Sequence, residues 1–527
     1  MKKVVSLLIV AMLLVSIFVT GCDSGGNTNA QGNNNESDSK VEEKTDTNND
    51  DKPKKTEIVL AQKADIVSLD PHATNDSPSA NLTRQIYSSL VRTNVNMEYE
   101  GDLAESWKSL SPTEWEFKLR QGVKWHDGSD FKASDVKFSI ERQQQGPQVK
   151  HLVNMITEVK VIDDYTVVIV TDEPCGPLLA NLAHSASRIV PEKACTEYGD
   201  KFAEHPTGTG PMKFVEWVPG DRVVLERNED YFEGLPATER LVMRVIPEGT
   251  SRTIALETGE VDLILDVEPI DKEKIESNSD LKLYEEMSNR TEWLSLNNKK
   301  APFDNKLVRQ AINHAIDKES VIEVATDGRG MVANTVIGPT VLGYNPNVKV
   351  YEYDPEKAKE LLAQAGFPDG FTTTLWSSGD VRNRAAEVIQ SNLAEVGITA
   401  EIELMEWGAY LDKTSAGEHD MHLLGWSNLT ADGDGGMYPN FHSTSQGASG
   451  NRSFFENAEV DRLLEEGRVE TDFDKRPKYY EDAQDIIMEE AAMVPLYFQP
   501  TEVGARADLK GVELHPGSLH RFHMLHY

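Results

Sequence analysis

The side chains able to do chemistry in this 527-residue chain are spread along it rather than gathered into a catalytic signature. No Gly-x-Ser-x-Gly turn exposes a serine, no His-Glu-x-x-His pair seats zinc on a helix face, and no cysteine stands in a nucleophile signature. The carboxylates that draw attention are Asp432 and Asp434, set among Gly433, Gly435 and Gly436 shortly after Gly425-Trp426. Aspartates there serve either a cation or the backbone of a solvated loop. A calcium loop fits less well, because the later ligands and the terminal Glu of an EF-hand are missing. Arg382 and Arg384 offer guanidinium forks suited to a carboxylate, or cap the helix that follows them. Trp426, Trp407, Tyr410 and Tyr438 offer stacking faces, although core packing is the ordinary role of an isolated aromatic. Near the C-terminus, His520, His523 and His526 recur at every third position, with His515 before them. On a strand His520 and His526 share a face while His523 points away, which favours an incidental role over metal capture. No metal or cofactor is expected.

Lys2 and Lys3 precede an apolar run over residues 4–19 that ends in Thr20-Gly21-Cys22. A basic start, a short apolar stretch and small residues before a break make a secretory signal. The run falls short of the roughly 20 residues that a spanning helix needs. Val19-Thr20-Gly21-Cys22 resembles a bacterial lipobox, although Leu is commoner than Val at its first position. That resemblance implies removal of residues 1–21 and lipidation of Cys22, which would anchor the chain to the extracytoplasmic face of a cell membrane. More than one acyl chain makes such an anchor stable. Residues 22–55 hold almost nothing apolar, so they cannot offset their ordering entropy and are predicted to be a disordered tether reaching roughly 30 Å. A tether in place of periplasmic confinement points to a Gram-positive cell.

The body, residues 56–527, is too long for a single core and should form two or more lobes. A formal net charge of −35 excludes nucleic acid as a partner, since phosphate contacts require Lys and Arg patches. Cys175 and Cys195 allow a local disulfide in an exported protein, with two buried thiols an equal alternative. Strands and helices alternate, giving a mixed α/β fold with a strand-richer first half. Trp115, Phe117 and Leu119 alternate with charged residues as a half-buried strand does. Asp127-Gly128 and Pro219-Gly220-Asp221 supply hairpin turns between strand-like runs. Asp304 or Asn305 caps a helix whose Val308, Ala311, Ile312 and Ala315 form an apolar stripe. Asp354-Pro355 opens another helix, which Gly366 closes. Further helices are expected over 384–396 and 475–492, and strands over 398–405 and 494–498.

Five stretches together resemble a known family. They are LAESWKSLSPTEWEFKLRQGVKWHDGSDFKASDVKFSIER from Leu103, GTGPMKFVEWVPGDRVVLERNEDYF from Gly208, NNKKAPFDNKLVRQAINHAIDKESVIE from Asn297, GWSNLTADGDGGMYPNFHS from Gly425 and YYEDAQDIIMEEAAMVPLYF from Tyr479. In this order they are similar to the dipeptide-, oligopeptide- and nickel-binding proteins of ABC importers, extracellular solute-binding family 5. The resemblance implies a two-lobed, periplasmic-binding-protein-like fold of type II in its three-domain class. Domain I would comprise 56–85, 206–292 and 496–527, with domain II at 86–205 inserted and domain III at 293–495. Two hinge strands would cross near 293–297 and 494–499, and the lobes would close over the ligand.

The resemblance also implies a binding protein that passes a short peptide, such as a dipeptide, an oligopeptide or a glutathione-like molecule, to membrane permease subunits, and the body is expected to be a monomer. A nickel chelate, haem or another solute is the alternative, with an extracellular sensor or hydrolase further off. In peptide-binding members an aspartate shortly after the Gly-Trp motif pairs with the ligand's α-amino group. Here that is Asp432 or Asp434, with Asp432 favoured. Arg382 and Arg384 stand near where some dipeptide-binding relatives place an anchoring arginine, and Trp426 would stack on the ligand or fill domain III. The segment 75–81 falls where members line the cleft from domain I. His126 belongs to a family hairpin and is assigned a structural role.

Overall fold

Two strands far longer than their apolar runs suggest tie the molecule together. In the computed structural model, which describes residues 55–527 apart from 75, 448–449 and 519, they span Leu281–Leu296 and Met493–Arg506. The leader, Cys22 and nearly all of the expected tether lie outside the described residues. No helix among the described residues is long and apolar enough to cross a membrane.

The two strands run antiparallel, with Leu281 opposite Arg506 and Ser295 opposite Met493. They sit at the middle of an eleven-stranded sheet. From Arg290 onward the first strand also pairs with Met421–Ser427, which leads on to the parallel pair Phe371–Ser377 and Ile398–Leu404. At its other end the second strand pairs with Leu263–Leu265, beside which Glu57–Gln62 and Arg240–Val245 run parallel. The change of neighbours coincides with a register shift between Met287 and Arg290. The neighbours thus change before residues 293–297, and from Ser288 to Leu296 the first strand is buried almost throughout, on both faces. A separate four-stranded antiparallel sheet is built from segments between Ala104 and Thr171.

The cores divide accordingly. One cluster surrounds the four-stranded sheet, with Phe117, Trp125, Phe131 and Val167 at its centre. A second joins Ile58 and Leu60 to Leu225, Leu241 and Phe522, residues far apart in sequence. A third packs Leu294, Leu375 and Leu423 against Val308, Ile312 and Ile389 from the helices.

Local signals place many elements. Gly128 and Gly220 take positive φ, 84° and 76°, in the two expected hairpins. Asn305, rather than Asp304, caps Lys306–Ala315 by accepting from the Leu307 N–H at 2.9 Å. Asp354 caps Pro355–Gln364, and Gly366 follows at φ 94°. The helix expected over 384–396 begins earlier, as Asp380–Glu395, so Arg382 and Arg384 lie within it rather than before it.

Candidate functional site

Where the two halves of the large sheet meet, a cavity of about 590 Å³ opens, of the size that small-molecule sites have. Its floor is the crossing strands, through Ser288–Glu292 and Tyr497–Val503. One wall is the carboxyl ends of parallel strands, the usual ligand side of such sheets, where Gln62, Leu265 and Asp266 face Ser77 and Asn81 of the helix Ser77–Ile86. Asp76 caps that helix, accepting from the Ser79 N–H at 2.9 Å. The facing wall carries Ser378–Arg382 and Ser427–Leu429, and the C-terminal segment at Pro516–Ser518 completes the enclosure. A larger, more open hollow of about 900 Å³ lies beside Tyr99, Glu286 and Phe473. It lacks the convergent, buried polar groups of the first.

Charge concentrates at one station on the floor. The Glu292 carboxylate is buried and held from both sides by guanidinium groups. Arg290 donates from Nε at 2.7 Å, and Arg382 donates from Nε at 3.0 Å and from Nη2 at 3.2 Å. Arg290 also donates to Ser427 Oγ at 2.9 Å. Burial would raise the Glu292 pKa, but the fields of Arg290 and Arg382 outweigh it and bring it to about 2. Two cations thus share one carboxylate, leaving a unit of positive charge at the cavity floor. Gly425 of the Gly-Trp motif makes this possible, since a Cβ there would collide with the Glu292 carboxylate. Arg382 is steadied from the other side by the Trp407 ring, 5.7 Å from its guanidinium.

A second ionic group reaches the cavity further along the floor through Arg329 and Glu502. Glu285 and Glu502 face each other on the crossing strands, with Lys272 2.7 Å from Glu285 and Arg329 donating to Glu502. Burial and the neighbouring Glu285 carboxylate raise Glu502 to about 7, against the pull of Arg329 and Lys272.

Asp432 and Asp434 stand elsewhere, and the expectation that one of them receives a ligand ammonium is corrected. Asp432 is fully buried in an ion pair with Arg476, which donates to it from both Nη1 and Nη2, the latter at 2.7 Å. Arg476 also donates to the Tyr480 hydroxyl at 2.7 Å. Asp432 accepts from the Asp434 N–H at 2.9 Å as well, capping Gly433–Phe441. Asp434 accepts from Arg468 Nε and Nη2 at 2.9 and 3.0 Å. Both carboxylates are satisfied by arginines of this chain, and neither lines the cavity. Trp426 is also turned away, donating from Nε1 to the Gly435 carbonyl at 2.9 Å. Arg384 donates to the Ala325 carbonyl at 2.7 Å. Of Asp432, Asp434, Trp426, Arg384 and Arg382, Arg382 alone reaches the cavity, while Ser77, Pro78 and Asn81 of the 75–81 segment line its wall.

Cys175 and Cys195 are free thiols, buried in different clusters, so the local disulfide is not formed. His126 is structural: its ring spans Gly208 N–H and the Gly210 carbonyl. His515 and His520 are buried in hydrogen bonds of the C-terminal segment. Among the described residues, no three His, Cys, Asp or Glu side chains are placed to hold a metal ion. Arg290, Glu292 and Gln62 escaped the sequence reading. Arg290 and Glu292 lie two apart on a strand and therefore share a face, a faint signal that a charged pair points one way.

Residues 98–448 match the model for bacterial extracellular solute-binding proteins, family 5. The chain is 33% identical to the Glutathione-binding protein GsiB of Pectobacterium atrosepticum, over 88% of this chain and 93% of that protein. It is 31% identical to the Heme-binding protein A of Haemophilus influenzae, over 94% of each. Among solved structures it resembles the periplasmic binding protein DppA of Helicobacter pylori, in complex with the peptide STSA. That likeness has 33% identity and a TM-score of 0.77, over 89% of this chain and 98% of that one.

Proposed function

The chain belongs to the bacterial extracellular solute-binding proteins, family 5, which are binding proteins and not enzymes, and we propose that it captures short peptides, glutathione among them, for an ABC importer. The observation that carries this reading is the Arg290–Glu292–Arg382 station at the floor of the enclosed cavity. A buried charge must be paired, so the excess cation selects a ligand carboxylate, which every unmodified peptide supplies at its C-terminus. In this reading the crossing strands act as a hinge between lobes, and the lobes close over the ligand. The first crossing is set at 287–290, where the sheet neighbours change, so that domain III begins a few residues before 293. The segments that would then meet do touch: Gly176 donates its N–H to the Arg468 carbonyl at 2.8 Å, and a side chain at Gly176 would strike Arg476. Lipidation at Cys22 would keep the monomeric body at the outer membrane surface of a Gram-positive cell, near the permease.

Haem or a nickel chelate is the alternative, motivated by the likeness to a heme-binding relative; haem too presents carboxylates. The test is a thermal-shift panel on the lipid-free chain from residue 22 carrying Cys22→Ser. A ligand that binds only the folded form raises the melting point by mass action. Shifts with di- and tripeptides or glutathione that vanish in Arg382→Ala and with C-terminally amidated peptides support the proposal. A shift with haem or nickel chelates only would sink the peptide assignment and leave the family membership standing.

A further inference from the structure

The wall opposite the arginine station holds polar groups that the protein itself leaves unpaired. Gln62 ends the strand Glu57–Gln62 at the cavity and is only 2% exposed, yet neither its Oε1 nor its Nε2 has a hydrogen-bond partner in the chain. Asn81, on the helix that faces it, is 8% exposed, and its Oδ1 is likewise without a partner. Among the described residues Gln62 is the one buried carboxamide with both ends unpaired. Away from the cavity, Asn298 and Asn313 leave only Oδ1 unpaired while their Nδ2 groups donate to carbonyls, and buried carboxamides such as Gln484 and Asn428 are satisfied at both ends. Gln484 donates to the Gly343 and Tyr480 carbonyls and accepts from Thr335, while Asn428 donates to the Asp432 carbonyl and accepts from Thr430.

A buried amide without partners is costly, and native proteins satisfy nearly all of them. Gln62 therefore marks a place where another molecule completes the hydrogen bonding. A carboxamide presents an acceptor and two donors in a plane, which matches the C=O and N–H of a peptide group together.

Resting on the peptide assignment above, we propose that Gln62 and Asn81 form the subsite that reads the ligand's amide linkage. Gln62 Nε2 donates to a ligand carbonyl, Gln62 Oε1 accepts a ligand N–H, and Asn81 Oδ1 accepts a second N–H. The ligand class is thus narrowed to molecules that carry a carboxylate for Arg290 and Arg382 and, across the cavity, at least one secondary amide. Carboxylates without an amide would engage one wall only.

The experiment compares dissociation constants of a tripeptide and of its analogue with one amide replaced by an ester, in the wild type, Gln62→Met and Asn81→Leu. Ligand-free melting points are measured alongside. The wild type is expected to prefer the amide. Gln62→Met should bind the tripeptide about tenfold more weakly and narrow the amide-over-ester preference, with the ligand-free melting point unchanged or higher, because an unpaired buried group has been replaced by an apolar one of similar shape. Gln62→Glu, which keeps the shape but removes the Nε2 donor, should also weaken binding. Unchanged affinity in all three variants overturns the inference while leaving the peptide assignment intact. A weaker tripeptide with the amide-over-ester ratio preserved and a lowered ligand-free melting point makes Gln62 structural, and equally overturns it. No binding of any peptide by the wild type overturns both.

Discussion

Two arginine–carboxylate assemblies lie on either side of the strand Met421–Ser427, and they do opposite things. At Asp432 the charges balance: Arg476 holds Asp432, Arg468 holds Asp434, and the tyrosine hydroxyl and helix N-terminus take up the remaining hydrogen bonds. Both Arg476 and Asp432 are 1% exposed. At Glu292 the charges do not balance, since Arg290 and Arg382 share one carboxylate beside a cavity. A closed ion pair fixes a conformation and offers nothing to a ligand, whereas an excess cation at a cavity wall asks for an anion. What separates a structural from a binding aspartate or glutamate is thus the count of its partners, which the residue type does not reveal.

The strongest way to break this contrast is to remove one partner of the closed pair. Asp432→Ala and Arg476→Ala should each cost about 3–5 kcal/mol in urea unfolding, because each leaves a buried charge alone. An Asp432→Ala protein of normal stability that loses only ligand affinity would return Asp432 to the binding site. At the open assembly the effects should fall on binding instead. Arg382→Ala should weaken a carboxylate ligand by about 1.5–3 kcal/mol by calorimetry, the range for hydrogen bonds to charged groups. Its melting point should move little, since Arg290 still covers Glu292.

A smaller effect is expected from Glu502, the second carboxylate on the cavity floor. Burial and Glu285 raise its pKa to about 7, so the folded form holds a proton that the unfolded chain gives up near 4.5. The stability this confers is full below about 4.5 and is lost as pH rises through about 7. Between pH 5 and 8, wild type should lose on the order of 1 kcal/mol relative to Glu502→Gln in matched urea titrations. Taking the difference between the two proteins removes buried histidines such as His72 and His126. Burial lowers each of these to about 4, and they act in the opposite sense, losing stability as pH falls from about 6.5. A flat difference would place Glu502 in an ordinary solvated setting. The smallest expected effect is none: a reductant should leave the melting point unchanged, because Cys175 and Cys195 are already thiols.

Much of the fold was legible because its causes are local. A hairpin glycine, the Asn305 and Asp354 caps and the apolar stripe of Lys306–Ala315 act within a few residues of themselves, and each element formed where its pattern lies. Order and spacing of five stretches were enough to identify the family. Arg382 was legible as a cation near a helix start, although the helix begins before it.

The rest was decided over distances the pattern of a sequence does not encode. Asp432 meets an arginine 44 residues away, and Glu292 meets Arg382 across 90. Whether Gln62 is paired depends on a strand, a helix and a C-terminal segment arriving together. The sequence by itself determined which groups can carry charge or hydrogen bonds, and which segments fold as strands or helices. Only the tertiary structure decided which charges cancel and which are left over, because pairing within a buried interior depends on a few ångströms of approach between residues that no local rule brings together.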